Sequence, residues 1–421
     1  MNKPELILPG GDLERVKVAF LYGADAVYVG LNKYSLRKAE VRFNIDEIKK
    51  AVDHAHSINK RLFVTFNIFA HNEHLGELES DLKRIARFEP DAFIISDPGV
   101  ISLAQKVAPK VPIHLSTQAN TINSESVRFW QKQGIKRIVL ARELNLEEIK
   151  EIHKAAPTME LEVFVHGAMC ISYSGRCLLS NYMIDRKANL GDCAQPCRWN
   201  YNILLEEKMR PGEYYPIEEA AGNTGIMSSK DLRLVRYLPE ILKAGAVGLK
   251  VEGRNKSEYY LATTASTYRE ALNLIKEKKY TNKEKDRLEK ELEKLNHRGY
   301  TTGFFFNDAK SGETIGDRKH RKDWEYLGIV SNYSSSEARS LQQNSSRQGS
   351  NNNLITVKNK ITTGDKVEVL TPEGIFQDKA LEIHDLNGKS LEEINPGKEN
   401  QKAIVRLSKK YPTNSLLRKN L

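Results

Sequence analysis

All four cysteines of this 421-residue chain fall in one short stretch, at Cys170, Cys177, Cys193 and Cys197. Four thiolates make one complete ligand set for a tetrahedral zinc ion or for an iron–sulfur cluster. The stretch directly follows an apolar run at 163–167 that is typical of a β-strand. The sequence therefore predicts a metal centre at the end of a strand.

The spacing of the cysteines leaves two metals open. It is C-x6-C-x15-C-x3-C, without the paired CxxC knuckles that zinc ribbons favour, and its long gaps suit a site assembled from a wrapped loop. Two disulfides are a third interpretation. However, the start MNKPELILPGG lacks a charged segment followed by an apolar one, so we predict a cytoplasmic protein whose thiols stay reduced.

The net charge favours a polyanionic partner. The chain carries a formal charge of +10 at pH 7, which is typical of nucleic-acid-binding proteins but also occurs in basic enzymes with small substrates. No run approaches eighteen apolar residues, so no membrane span is predicted. Neither HExxH nor GxSxG occurs, which argues against the common hydrolase types.

The first 255 residues alternate between short apolar runs and amphipathic stretches. The runs lie at 5–8, 26–30, 61–67, 92–96, 113–117, 137–142, 161–167 and 247–253. Asn145 and Glu148 form a helix-capping pair between two of them. Eight strands alternating with helices predict an α/β fold, a (β/α)8 TIM-barrel-like domain. A doubly wound open sheet is the alternative, although no GxGxxG follows any strand.

The remaining sequence predicts further parts. We expect a TIM-barrel-like catalytic domain at 1–280 with a Cys-cluster insertion at 168–230, a helical and basic connector at 281–323, and a small C-terminal antiparallel β-barrel at 324–421. Its strand-like runs lie at 326–333, 353–359, 365–372, 375–385 and 402–408. The polar, low-complexity segment 334–353 is predicted to be a disordered loop.

Polar residues follow most of the predicted barrel strands, and strand ends of a parallel barrel face one shared mouth. They are Asn67, Ser96, Asp97, Ser116, Gln118, Arg142, Glu143, His166, Lys250, Glu252 and Arg254. We predict a site for an acidic small molecule or a phosphate, with Arg142, Glu143, His166 and Glu252 as catalytic candidates. Each residue alone is equally suited to capping a helix or satisfying a loop. His166 is a fifth metal ligand, an acid–base group or a hydrogen-bonded loop histidine.

The basic run 317–323 lies near several aromatic residues. These are Tyr300, Phe304, Phe305, Phe306 and Trp324. Basic and aromatic side chains together neutralise and stack RNA, so one interpretation is an RNA-docking segment. The other is a basic linker beside core aromatics.

One long stretch, ELEVFVHGAMCISYSGRCLLSNY at 160–182, resembles the signature of peptidase family U32, also called the collagenase-like proteases. The resemblance extends through GADAVYVG (23–30), DAFIISDPGV (91–100), IHLSTQANT (113–121), RIVLARELNLEEI (137–149), GDCAQPCRWNY (191–201), RPGEYYPIEE (210–219), KVEGRNKSEYY (250–260) and YTTGFFF (300–306). It covers nearly the whole chain up to about residue 310.

The resemblance is closest to a branch that modifies tRNA, and it implies oxygen-independent, prephenate-dependent hydroxylation of the wobble uridine to 5-hydroxyuridine. Sister branches hydroxylate a cytidine of 23S ribosomal RNA or act in ubiquinone synthesis. In the ubiquinone branch the four cysteines hold a [4Fe–4S] cluster, which implies the same ligands here, with zinc as the alternative. A cluster-bound thiolate is unavailable as a nucleophile, so a protease is disfavoured.

The implied partners are tRNA, a dicarboxylate co-substrate, and an electron donor or partner protein. We expect Arg142, Arg176, Arg254 and Gln118 to bind the dicarboxylate, because two carboxylates need fixed bidentate donors. The alternatives are a peptidase, a ribosomal RNA hydroxylase and a noncatalytic tRNA-binding subunit.

Overall fold

The structure is a computed structural model. It describes residues 4–31, 33–34, 43–169, 179–184, 186, 193–194, 196, 199, 204–206, 209, 211–212, 214–216, 230–306, 323–332, 351–397 and 401–421. The chain divides into two compact units. The first comprises 1–290 with 297–321, and the second 291–296 with 322–421. The predicted disordered loop at 334–353 lies outside the described residues up to residue 350, and the prediction is wrong for Asn352 and Asn353, which begin a strand that pairs with a neighbour.

The first unit is built on a closed barrel of parallel strands. The strands of this unit are β1 Glu5–Pro9, β2 Ala26–Gly30, β3 Arg61–Phe66, β4 Ala92–Ile95, β5 Ile113–Leu115, β6 Arg137–Val139, β7 Glu160–Ala168, β8 Leu204–Glu206, β9 Tyr214–Pro216, β10 Asp231–Arg233, β11 Ala246–Val251 and β12 Tyr300–Thr301, of which β8 and β9 form a separate two-stranded sheet. Strands β1 to β7 pair in chain order, and β11 pairs in parallel with both β7 and β1. This closure confirms the TIM-barrel-like prediction over the open sheet.

Helices follow most of the barrel strands. They are α1 Leu13–Leu21, α2 Ile45–Ser57, α3 Asn72–Ala86, α4 Pro98–Val107, α5 Ser124–Lys132, α6 Leu146–Ala155, α7 Leu179–Ile184, α8 Leu238–Lys243, α9 Glu258–Lys276 and α10 Asn282–Glu293. The capping pair at α6 is confirmed: Asn145 accepts from the backbone of Glu148, whose carboxylate accepts from the backbone of Asn145. Within the described ranges, no helix is both long and apolar enough to cross a bilayer.

Two short strands extend the barrel wall: β10, between β7 and β11, and β12, after α10. β10 pairs antiparallel with the end of β7, and β12 pairs in parallel with β10. No strand is predicted at β10 from the sequence, because three residues are too short to show a period. Asp231 of β10 forms an ion pair with Arg298 at 2.6 Å, which fixes the segment beside the barrel.

A chain of buried charges occupies the barrel interior. Arg137 of β6 contacts three carboxylates: Nη1 lies 2.6 Å from Glu5 and 3.4 Å from Glu162, and Nη2 lies 2.7 Å from Glu160. Glu162 is fully buried. Its other oxygen accepts from Lys250 Nζ of β11 at 2.6 Å. One carboxylate therefore joins two cations across the barrel.

The positive and negative charges of this ion network are equal in number. The network contains three carboxylates and three cations: Glu5, Glu160 and Glu162, and Arg61, Arg137 and Lys250. Burial lowers the pKa of Lys250, and the neighbouring carboxylate of Glu162 acts against that shift. Charges at this depth are tolerated only when paired, because desolvation costs several kcal/mol per ion. The interior is thus held by an ion network as well as by apolar packing.

The second unit is an antiparallel half-barrel. Its strands are β13 Trp324–Val330, β14 Asn352–Val357, β15 Ile361–Thr362, β16 Lys366–Thr371, β17 Gly374–Lys379, β18 Glu382–His384, β19 Ser390–Leu391, β20 Glu393–Ile394, β21 Lys402–Arg406 and β22 Leu416–Asn420. Eight of them form one sheet in the order β17-β16-β22-β13-β14-β21-β18-β19. The sequence missed β22, whose buried Arg418 is compensated by Glu368 at 2.7 Å.

We predict that Glu162→Gln destabilises the barrel by about 3–5 kcal/mol, because Lys250 then lacks its buried counter-charge, whereas Arg137 keeps Glu5 and Glu160. The measurement is the thermal midpoint of unfolding. The matched control is Asp53→Asn, which breaks the exposed pair between Lys49 and Asp53 and is worth less than about 1 kcal/mol. Equal midpoints for the two variants would contradict the role assigned to Glu162.

Candidate active site

The mouth of the barrel brings three cations around two aromatic rings. Lys250 Nζ lies 4.4 Å from the ring centre of Tyr28, and Arg254 Cζ lies 5.8 Å from the same ring. Arg142 Cζ lies 5.0 Å from the ring of Phe164, which Lys250 also approaches at 5.8 Å. Ring faces attract cations, so the rings keep the three charges together without direct contact. The arrangement can bind an anion.

Arg254 is held in a fixed position at this mouth. Its side chain is buried, and Nη1 donates to the hydroxyl of Thr65 on β3 at 3.1 Å. Its backbone passes close to Gly11, where an added Cβ would lie only 2.5 Å from the carbonyl oxygen of Arg254. Only glycine permits that approach. A guanidinium anchored in this way suits bidentate recognition of a carboxylate.

Arg142 is anchored to the end of β7. Its Nη1 donates to the carbonyl oxygen of Ala168 at 2.7 Å, two residues before Cys170 in the sequence. The adjacent Glu143 is half-buried, and burial raises the pKa of its carboxyl despite the charge of Arg142. Arg142 thus connects the cationic mouth to the segment from which the cysteine stretch begins.

Neutral polar groups occupy the ends of β3, β4 and β5. Ser116 Oγ donates to Gln118 Oε1 at 3.1 Å, and Ser96 Oγ donates to the backbone oxygen of Asn67 at 3.4 Å. All four residues are buried. The candidates predicted from strand ends therefore include a cationic group, with Arg142 after β6 and Lys250 and Arg254 on and after β11, and a neutral group after β3, β4 and β5.

His166 lies apart from both groups, against an aromatic cluster. Its ring centre is 5.6 to 5.8 Å from those of Tyr260, Tyr268 and Tyr300. It is 1% exposed, and burial lowers its pKa to about 3, although the charge of Asp231 partly opposes the shift. The imidazole is therefore neutral at physiological pH.

Glu252 is positioned by backbone contacts near His166. Its N–H donates to the carbonyl oxygen of His166 at 2.9 Å, and its own carbonyl oxygen accepts from Tyr260 Oη at 2.7 Å. An added Cβ at Gly167 would lie 2.5 Å from that carbonyl oxygen, and Gly167 has a φ of +110°. Glycine is required there because β7 and the end of β11 come so close.

The proposed metal ligands lie mostly beyond the part of the chain that the structure describes. Cys170, Cys177 and Cys197 are outside it, as are Arg176 and residues 317–322 of the basic run. Cys193 is half-buried. Four thiols remain a chemically complete donor set for a [4Fe–4S] cluster or for zinc. Across the described ranges, no three His, Cys, Asp or Glu side chains converge on a possible metal site.

Sequence reasoning missed several residues of the mouth and of the barrel interior beneath it. Tyr28, Thr65, Glu162 and Phe164 lie within strands rather than at their ends. The available signal was the two-residue period, which places alternate side chains of each strand on the inner face of the barrel. Glu162 also stood out as an acidic residue inside an apolar run.

The comparisons with known proteins agree with this fold. The profile of peptidase family U32 matches residues 11–314, and that of the family's C-terminal domain matches residues 322–418. The chain is 38% identical to tRNA hydroxylation protein P of Escherichia coli, covering 94% of this chain and 92% of that protein. It is 43% identical to tRNA hydroxylation protein P of Helicobacter pylori J99, covering 72% of each chain.

A third relative is named for a different RNA. The chain is 33% identical to 23S rRNA 5-hydroxycytidine C2501 synthase of Escherichia coli, over 74% of this chain and 46% of that enzyme. The profile matches span both compact units, and the relatives named tRNA hydroxylation protein P align over most of their length. The chain therefore belongs to peptidase family U32.

Proposed function

We propose that this protein hydroxylates the wobble uridine of tRNA to 5-hydroxyuridine, without molecular oxygen and with prephenate as co-substrate. The observation that carries the proposal is the likeness to relatives named tRNA hydroxylation protein P over nearly the full chain. The cationic mouth supports it further, because a dicarboxylate needs positively charged donors. The net charge of +10 favours a polyanionic substrate such as tRNA.

In this proposal Arg254 and Lys250 form the carboxylate-binding part of the mouth. Arg254 presents a planar fork of donors fixed by Thr65, and Lys250 supplies a compact charge held by Glu162. The rings of Tyr28 and Phe164 cover the apolar part of a ring-shaped co-substrate. Arg176 remains a proposed fourth cation.

Cys170, Cys177, Cys193 and Cys197 are the proposed ligands of a [4Fe–4S] cluster. Such a cluster would supply one-electron transfer. Arg142 binds the carbonyl oxygen of Ala168 and so positions the end of β7, from which the cysteine stretch continues. We assign His166 and Glu252 to supporting that same strand end, because their contacts hold β7 against β11.

The second candidate function is hydroxylation of ribosomal RNA, favoured by the relative named 23S rRNA 5-hydroxycytidine C2501 synthase. This chain spans less than half of that enzyme, whereas it spans 92% of the tRNA hydroxylation protein from the same organism. Both candidates hydroxylate a pyrimidine base of RNA. The tRNA substrate is preferred because the likeness is more complete.

Deleting the gene should remove 5-hydroxyuridine and its derivatives from the wobble position of tRNA. Nucleoside mass spectrometry of purified tRNA measures this. The native gene and the surface variant Phe129→Leu should restore the nucleoside, and Cys193→Ser should not. If the deletion leaves the 5-hydroxyuridine of tRNA unchanged and removes 5-hydroxycytidine from 23S rRNA, the substrate is ribosomal RNA and the tRNA proposal is wrong.

Protein purified without oxygen should contain about four iron and four sulfide ions per chain and absorb broadly near 400 nm. Cys193→Ser should reduce the iron content and the absorbance together, because one thiolate ligand is lost. Iron analysis and the spectrum are independent of activity. Colourless protein with one zinc ion would establish the zinc alternative, because a d10 ion has no such absorption.

Arg254→Gln should weaken prephenate binding by roughly 100-fold, because one charge-assisted donor pair is lost. Isothermal titration measures the dissociation constant, and the iron content should stay unchanged. Arg128→Gln, which changes an exposed arginine on α5, is the control and should bind as the native protein does. An unaltered dissociation constant in Arg254→Gln would remove Arg254 from the site.

A further inference from the structure

The side-chain amide of Asn67 is buried directly after β3, and its oxygen has no hydrogen-bond partner among the residues that the structure describes. The residue is 7% exposed, its backbone N–H donates to Tyr34 and its backbone oxygen accepts from Ser96. No group in the described structure donates to Oδ1. Leaving a buried acceptor unsatisfied costs about 1–3 kcal/mol, so such a group calls for an explanation.

Asn67 faces the same mouth as the cations. Asn67 directly follows the carboxyl end of β3, two residues beyond Thr65, and the carboxyl ends of parallel barrel strands share one mouth. Thr65 accepts the hydrogen bond from Arg254. The unpartnered amide and the guanidinium that we assign to a carboxylate therefore belong to the same mouth.

The neighbouring strand ends give this side of the mouth a neutral character. Gln118 accepts from Ser116 through its oxygen, so its amide nitrogen is the remaining polar group of that side chain. Ser96 lies between the two amides in strand order. Amides and hydroxyls recognise uncharged polar groups, whereas the opposite side of the mouth recognises negative charge.

We propose that Asn67 determines specificity by accepting a hydrogen bond from a hydroxyl group of the co-substrate whose carboxylate is bound by Arg254. The ligand class is thus a hydroxylated carboxylate, not any dicarboxylate of suitable size. The inference rests on the proposed function and adds to it the group that distinguishes the co-substrate from acids that lack the hydroxyl. A site built to bind a hydroxyl rejects analogues without it, because its own polar group then stays unpaired.

The test uses the full-length protein, with prephenate and phenylpyruvate as probes. Asn67→Leu keeps the branching of the side chain and removes both polar atoms. It should weaken prephenate binding roughly 10- to 100-fold. The weak binding of phenylpyruvate, which lacks both the ring hydroxyl and the ring carboxylate, should stay nearly unchanged, because it offers Asn67 no hydroxyl. The thermal midpoint of the free protein should be preserved or raised, because an unsatisfied acceptor has been removed.

Thr263→Val is the matched control. Thr263 is fully buried in α9, and its hydroxyl also lacks a partner, but it lies in an outer helix. This variant should preserve the thermal midpoint and bind prephenate as the native protein does. Asn67→Asp is the second test variant: its negative charge should repel the bound anion and weaken binding even if Asn67→Leu fails to fold.

The outcomes separate the two proposals. If Asn67→Leu binds prephenate as tightly as the native protein does, the role of Asn67 is overturned while the proposed function stands. Where Asn67→Leu does not fold, the same result in Asn67→Asp overturns that role. A lowered thermal midpoint with unchanged affinity makes Asn67 structural. If the native protein itself does not bind prephenate, the proposed co-substrate and the specificity inference both fail.

Discussion

The carboxylate of Glu162 lies wholly inside the barrel and binds a cation on each side, Arg137 below and Lys250 above. Without it, Lys250 would be buried with no counter-charge, at a cost of several kcal/mol, while Arg137 would keep Glu5 and Glu160. Gly248 leaves the space it needs, since an added Cβ there would lie 2.9 Å from the Glu162 side chain. Glu162 therefore holds the side chain of Lys250 in place beneath the mouth.

The ion network has a consequence for the site above it. Because Glu162 holds Lys250 in place, the mouth presents a charge whose position is set by the barrel and not by a mobile loop. Arg254 and Arg142 add to that charge from fixed positions, and both rings that separate the cations also belong to strands. Preorganised donors of this kind bind an anion without further ordering cost, which is the property a co-substrate site requires.

Much of this architecture could be predicted from the sequence. Buried parallel strands are nearly continuous apolar runs, and α6 begins with a recognisable capping pair. Positions that are set by tertiary contacts could not be predicted from the sequence. β22 carries a charged residue that becomes buried only through Glu368, and His166, predicted for the mouth, lies among tyrosines because β7 passes close beside the end of β11. The unpartnered oxygen of Asn67 is visible only once its neighbours are known.

The most direct test of this account is a crystal structure of the protein grown anoxically with prephenate. We predict density for the ligand at the barrel mouth, with a carboxylate about 2.8 Å from the guanidinium of Arg254 and the ring hydroxyl within hydrogen-bonding distance of Asn67. Prephenate bound elsewhere, with Arg254 and Asn67 contacting only solvent, would contradict the assignment of the mouth as the co-substrate site.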